Sequence, residues 1–148
     1  MPTDSARRDI ELAAGLKTVL ATLRDVRSQP EWVPAIKEAD VLEVDDRGLP
    51  RRARFAASTA VGTDRYTLAY EHSGHGVAWT MLEGRLQTGQ EGRYTLEAAG
   101  RDRTRVTYEL TIHHNHNLPL PGFIRSRVIA GLVEDTLAGL RKRMEATV

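Results

Sequence analysis

The sequence predicts an α+β fold: a curved antiparallel sheet of about seven strands wrapped around a long C-terminal helix, with two short helices after the first strand. Two observations carry this. The middle of the chain alternates apolar and polar residues with period two, broken by short turn signals, which is the pattern of hairpins with one buried and one wet face. The last quarter switches to helical period, with Ile129, Leu132, Val133, Thr136, Leu137, Leu140 and Met144 in one apolar stripe. At 1.5 Å per residue that helix is roughly 35 Å long, and only a sheet of similar span covers it.

Asp9 to Ala14 reads as the first strand, with Ile10 and Leu12 on one face. Leu16, Val19, Leu20 and Leu23 then recur at helical spacing. Ser28-Gln29-Pro30-Glu31 has the form of a capping box with proline in the first turn, and Pro34 limits this second helix to a turn or two. Six alternating segments follow. Val41 to Val44 ends at the turn signal Asp45-Asp46-Arg47-Gly48. Ala53, Phe55 and Ala57 share a face, as do Tyr66, Leu68 and Tyr70. After Ser73-Gly74-His75-Gly76 come Val77, Trp79 and Met81, then Gly92, Tyr94 and Leu96, then Val106, Tyr108, Leu110 and Ile112. The connections are too short for crossover helices, so neighbouring strands run antiparallel. Pro119-Leu120-Pro121-Gly122 stops the last strand, and the chain is helical from Phe123.

Composition narrows the function classes. The 148 residues, 41% of them hydrophobic, suit one domain over residues 1–148 with its own core. The absence of cysteine excludes thiol catalysis, disulfides and Cys-based zinc sites, and suits a reducing cytoplasm. A net charge of +1 gives no global field for nucleic acid or anionic lipid. The polar start, Met1 to Arg8, has no apolar stretch of the signal-peptide kind, and no later run suits stable membrane insertion. The expectation is a cytoplasmic protein, monomer or homodimer, without nucleic-acid partner.

Six aromatic residues fall on inward faces: Phe55, Tyr66, Tyr70, Trp79, Tyr94 and Tyr108. Four are tyrosines, whose hydroxyls need partners when buried. An aromatic space with a few polar tips describes a small-molecule site as well as it describes a filled core. Catalytic signals are sparse. Glu83 continues the parity of Trp79 and Met81, and a carboxylate at an apolar rim could act as general acid or base; an ion pair with Arg85 is the plainer reading. His114 and His116 share a side of an extended segment, with His113 opposite, and could hold a metal if His72 or His75 supplied a third ligand. No nucleophile elbow or phosphate-cradling glycine loop is present. The arginines (Arg51, Arg52, Arg54, Arg125, Arg127, Arg141 and Arg143) are interspersed with acids and read as solvated faces.

The ordered set Pro30-Glu31-Trp32-Val33-Pro34, Tyr66-Thr67-Leu68, Trp79-Thr80, Gly92-Arg93-Tyr94-Thr95-Leu96, Thr104 to Leu110 and Leu118-Pro119-Leu120-Pro121-Gly122-Phe123 resembles the START-like, helix-grip superfamily. Within it, the chain resembles the bacterial polyketide cyclase/dehydrase and lipid-transport group. The resemblance covers nearly the whole chain, but Ala14 to Lys17 lacks the proline and large aromatic often found there, and the histidine loop is unusual for the group. It implies a cavity between sheet and helix, lined by Trp32, Phe55, Tyr66, Leu68, Tyr70, Trp79, Met81, Tyr94, Tyr108, Leu110, Phe123, Leu132 and Thr136. It implies a hydrophobic small-molecule ligand such as a lipid, isoprenoid or polyketide, and no cofactor. A carrier or binding protein is the leading expectation. A cyclase or dehydratase acting on an apolar carbonyl compound, or an interaction module like ribosome-associated relatives, are the alternatives.

Overall fold

A computed structural model describes residues 3–59, 61–115 and 119–146. The elements, in order, are β1 (Thr3–Leu12), α1 (Leu16–Arg24), a 3₁₀ turn (Val26–Ser28), α2 (Gln29–Trp32), β2 (Ile36–Val44), β3 (Pro50–Thr59), β4 (Gly62–Ser73), β5 (Gly76–Gly84), β6 (Gln87–Ala98), β7 (Thr104–His114) and α3 (Gly122–Ala146). The seven strands form one antiparallel sheet in the order β1-β7-β6-β5-β4-β3-β2. This is the helix-grip arrangement expected from the sequence. No helix of the described residues is long and apolar enough to cross a membrane.

The hairpin chemistry matches the residues at the turns. Asp45 Oδ1 accepts hydrogen bonds from the backbone N–H groups of Arg47 (2.9 Å) and Leu49 (3.0 Å), and Gly48 takes φ 79°, which a Cβ would oppose. The inner face buries Leu12, Ala53, Phe55, Tyr66, Leu68, Tyr70, Val77, Leu96 and Val106. The outer face carries cross-strand ion pairs such as Arg93–Glu109 (3.1 Å), Arg52–Glu43 (3.2 Å) and Arg65–Glu38 (3.1 Å), which disperse the arginines among acids.

α3 closes the concave side. Ile129, Val133, Thr136, Leu137, Leu140 and Met144 are buried along it, as their spacing predicts. Near its C-terminal half the helix almost touches α2. A Cβ built on Gly139 lies 1.8 Å from the Trp32 carbonyl oxygen, so only glycine permits this approach.

The first strand and the second helix differ from expectation. β1 begins at Thr3, six residues before the apolar pattern, because β7 is long enough to pair with all of it, from Thr3↔His113 to Leu12↔Thr104. Pairing decides this strand where propensity does not. Ser28 caps nothing. Its backbone is already helical (φ −79°, ψ −10°), so it lacks the extended geometry of an N-cap. Its hydroxyl instead donates to the Asp25 carbonyl (2.7 Å) and accepts from Trp32 Nε1 (3.1 Å).

His72 makes a pH-sensitive contact at the far end of β4. Its Nε2 lies 2.6 Å from the Pro50 carbonyl, so Nε2 carries the hydrogen. Nδ1 is buried without a partner, and the ring stacks on Tyr70 at 6.0 Å. Burial lowers the pKa below 6.5, the Pro50 contact opposes that, and Arg24 adds to it. With the folded pKa below the unfolded one, the unfolded chain binds the proton first. Stability is full above pH 6.5 and falls as pH drops through that value towards the folded pKa. Urea melts at pH 7.5 and 5.5 should show a loss that shrinks in His72→Gln; an identical loss in both proteins would remove His72 as a cause.

Candidate functional site

Between the sheet and the N-terminal half of α3 the two surfaces separate and leave a cavity of about 390 Å³. The sheet supplies Phe55, Tyr66, Leu68, Tyr70, Trp79, Tyr94, Tyr108 and Leu110, and α3 supplies Leu132 and Thr136. Gly131 also lines it, with no atom within 4 Å of where its Cβ would be. Glycine inside a helix costs about 1 kcal/mol relative to alanine, and here it leaves the space beside it open.

Trp32, Met81 and Phe123 lie elsewhere. α2 is a single turn, and Gln29 and Val33, four residues apart, take the cavity side while Trp32 packs behind them. Phe123 precedes Ile129 by six residues, about 120° round the helix, and is 67% exposed. Met81 folds over Gly84, its sulfur 2.8 Å from the position of a Cβ there.

Six rings form a continuous wall. Centroid separations are 5.5 Å for Phe55–Tyr66, 5.9 Å for Tyr70–Trp79, 5.3 Å for Trp79–Tyr94 and 4.5 Å for Tyr94–Tyr108. Trp79 sits over Gly92, where a Cβ would lie 2.3 Å from its ring. Burial pushes all four phenols above their ordinary pKa of 10. They stay protonated at physiological pH and keep a hydrogen to donate.

Two polar groups interrupt the apolar wall, both at the end where β3, β5 and β7 finish. The first is a chain of side chains. Asp64, fully buried, accepts from the backbone N–H groups of Arg85 (3.2 Å) and Leu86 (2.8 Å) and from Gln87 Nε2 (2.8 Å). Gln87 Oε1 accepts from Gln90 Nε2 (2.8 Å), and Gln90 Oε1 accepts from Trp79 Nε1 (2.9 Å). The second joins β1, β7 and α3. Asp4 Oδ2 accepts from Arg125 Nε (2.9 Å) and lies 3.0 Å from His114 Nε2, while Arg125 Nη1 donates to the Leu120 carbonyl (2.8 Å). Burial lowers the His114 pKa against the pull of Asp4, with Arg125 adding to the lowering. A neutral imidazole that donates through Nε2 keeps a lone pair on Nδ1.

Glu83 is not at the rim. A bulge at Leu82 shifts the register from Leu68↔Met81 to Thr67↔Glu83, which reverses parity. Glu83 therefore lies exposed on the outer face, 3.4 Å from Thr67 Oγ1. The histidines also separate. His113 is on the outer face beside Glu91 (2.8 Å) and His114 on the inner. His72 and His75 belong to the opposite end of the sheet, where β4 turns into β5, too far along the strands to meet His114. His116 lies outside the described residues. Among the described residues, no three His, Cys, Asp or Glu gather as a metal-binding set.

Sequence reasoning overlooked Asp4, Asp64 and Gln90 and read His114 only as a metal candidate, although parity reaches Asp64, Gln90 and His114. Asp64 precedes Tyr66, Leu68 and Tyr70 at period two, Gln90 precedes Gly92 and Tyr94, and His114 follows Leu110 and Ile112. A polar residue that keeps the inward parity was the available signal. Gln87 gave none, since a register shift between Gln87 and Gly89 breaks the alternation.

Solved structures with this architecture cover almost the whole chain. A START superfamily protein from Mycobacterium smegmatis matches with TM-score 0.89 and 22% identity over 97% of this chain and 99% of its own. The Zhui aromatase/cyclase from Streptomyces sp. R1128 matches with TM-score 0.84 and 14% identity, covering 97% and 94%. A protein from Thermus thermophilus matches with TM-score 0.83 and 19% identity, covering 97% and 98%. These likenesses are of fold. No curated protein sequence matches the chain. The family model for polyketide cyclase / dehydrase and lipid transport aligns with residues 3–145, and the chain belongs to that family.

Proposed function

We propose that the chain acts as one ligand-binding domain that holds a hydrophobic small molecule, such as a lipid, isoprenoid or polyketide, as a carrier or binding protein. Family membership supports the broader class of hydrophobic-ligand binding or cyclase/dehydrase function. The observation that carries the narrower reading is the 390 Å³ cavity whose wall is a row of buried aromatic rings. Such a void would cost stability if it had no occupant.

Native mass spectrometry of freshly purified protein, before and after organic extraction, tests this. The expected result is an added mass lost on extraction, or regained on exposure to at least one member of a panel of fatty acids, isoprenoids and aromatic polyketides. Gly131→Phe places a ring in the open part of the cavity and should abolish the adduct while the protein stays folded. A bare chain that takes up none of these compounds would defeat the proposal.

A cyclase or dehydratase acting on an apolar carbonyl compound is the second reading. It draws on the cavity-lining His114, held by Asp4 with Nδ1 able to accept a proton. Turnover of a carbonyl substrate that His114→Gln abolishes while ligand uptake persists would favour it.

A further inference from the structure

The chain of side chains from Asp64 to Trp79 has a fixed direction. Asp64, as a carboxylate, only accepts; the indole N–H only donates. With these ends set, both amides between them have one orientation, nitrogen towards Asp64 and oxygen towards Trp79. Each amide then retains one N–H hydrogen and one oxygen lone pair beyond the bonds of the chain. Both glutamines line the cavity. Buried polar groups inside an aromatic wall are costly unless something uses them. Pinning the β5–β6 hairpin needs only Asp64, which already binds the Arg85 and Leu86 N–H groups. Gln90 is not needed for that.

Charge adds a second constraint. The three partners of Asp64 are N–H groups, so its negative charge faces the cavity uncompensated by a cation. Of the cations that line the cavity, Arg125 is committed to Asp4 and Leu120, and Arg127 is exposed at the rim. Asp135, exposed on α3, brings a further negative charge. The interior therefore offers hydrogen bonds to a neutral oxygen and repulsion to an anion.

We infer that Gln87 and Gln90, oriented by Asp64, are the specificity-determining residues of the cavity: they select an apolar molecule that carries an uncharged ketone or hydroxyl oxygen and reject the corresponding carboxylate. This rests on the reading of the cavity as a ligand site. Each ligand oxygen that pairs with a glutamine should strengthen binding about fivefold over the hydrocarbon.

Equilibrium dialysis with four matched probes tests it: naphthalene, 2-acetylnaphthalene, 2-naphthol and 2-naphthoate. The ketone and the naphthol should bind about fivefold more tightly than naphthalene and at least tenfold more tightly than the carboxylate. In Gln87→Met and in Gln90→Leu the ketone-to-hydrocarbon ratio should fall to about one, and two variants guard against misfolding of either. Naphthoate binding as tightly as the ketone overturns the inference, and so does carboxylate binding that Arg127→Gln removes, which would put charge recognition at the rim. A ratio that survives in both glutamine variants also overturns it. Four equal affinities sink the selectivity and leave the cavity reading intact; no binding by any probe sinks both.

Discussion

Asp64→Ala should unfold at much lower urea than the parent protein, with a loss of about 2–5 kcal/mol, although the residue is small and lies near a hairpin. The physical reason is what it leaves behind. The Leu86 N–H and Gln87 Nε2 lose their buried acceptor, while the Arg85 N–H, shared between Asp64 and the Arg65 carbonyl (3.1 Å), keeps only the latter. Each unsatisfied buried donor costs about 1–3 kcal/mol, less where water enters the space left by the carboxylate. The polarity of the Gln87–Gln90–Trp79 chain is then unsupported as well. Asp64→Asn should also destabilise, because an amide that offers its nitrogen to Gln87 reverses both glutamines and sets an N–H against the Trp79 N–H. Equilibrium urea denaturation followed by circular dichroism measures both variants. An Asn variant as stable as the parent would mean that the chain has no fixed direction.

Gly139→Ala should lower the melting temperature by about 6–12 °C, taking a penalty of about 3 kcal/mol in a chain of this size. Helix propensity alone predicts the opposite sign, since alanine is favoured over glycine by about 1 kcal/mol. The added methyl would lie 1.8 Å from the Trp32 carbonyl oxygen and 3.0 Å from its carbon. Both are backbone atoms, so no rotamer relieves the clash and α2 must move off α3. Gly131→Ala, eight residues earlier on the same helix, is the internal control. Nothing lies within 4 Å of its new methyl, and it should raise stability by about 0.5–1 kcal/mol. Thermal melts of the two variants separate packing from propensity. Equal shifts would show that the α2–α3 approach is looser than the geometry implies.

Most of the architecture is legible in the sequence because period two and period 3.6 report burial directly. The strand faces of Phe55, Tyr66, Tyr70, Trp79, Tyr94 and Tyr108, and the stripe from Ile129 to Met144, follow from alternation and helical spacing alone. What was illegible depends on partners. β1 extends to Thr3 because β7 pairs with it, and no local signal in Thr3 to Arg8 announces that. Glu83 was misplaced because one bulged residue reverses every side chain beyond it. The capping-box pattern at Ser28 failed because the preceding 3₁₀ turn already made that backbone helical. Trp32 and Phe123, which the resemblance places at the cavity, lie on helix faces turned away from it. On the polar side of the site, Asp64 and Gln90 keep the inward parity of their strands, whereas Gln87 and Asp4 owe their places to a register shift and to strand pairing.

The chain has two tryptophans, and the fold gives them different surroundings. Trp32 is tied to Ser28 behind α2, away from the cavity lining. Trp79 stands on the cavity wall, its N–H bound to Gln90 and its ring within 6 Å of Tyr70, Tyr94 and Tyr108. One indole is thus optically coupled to whatever enters, and three tyrosines surround it as energy donors. The protein carries its own emission probe on the cavity wall, with Trp32 as a reference fluorophore that a single Trp32→Phe change would silence.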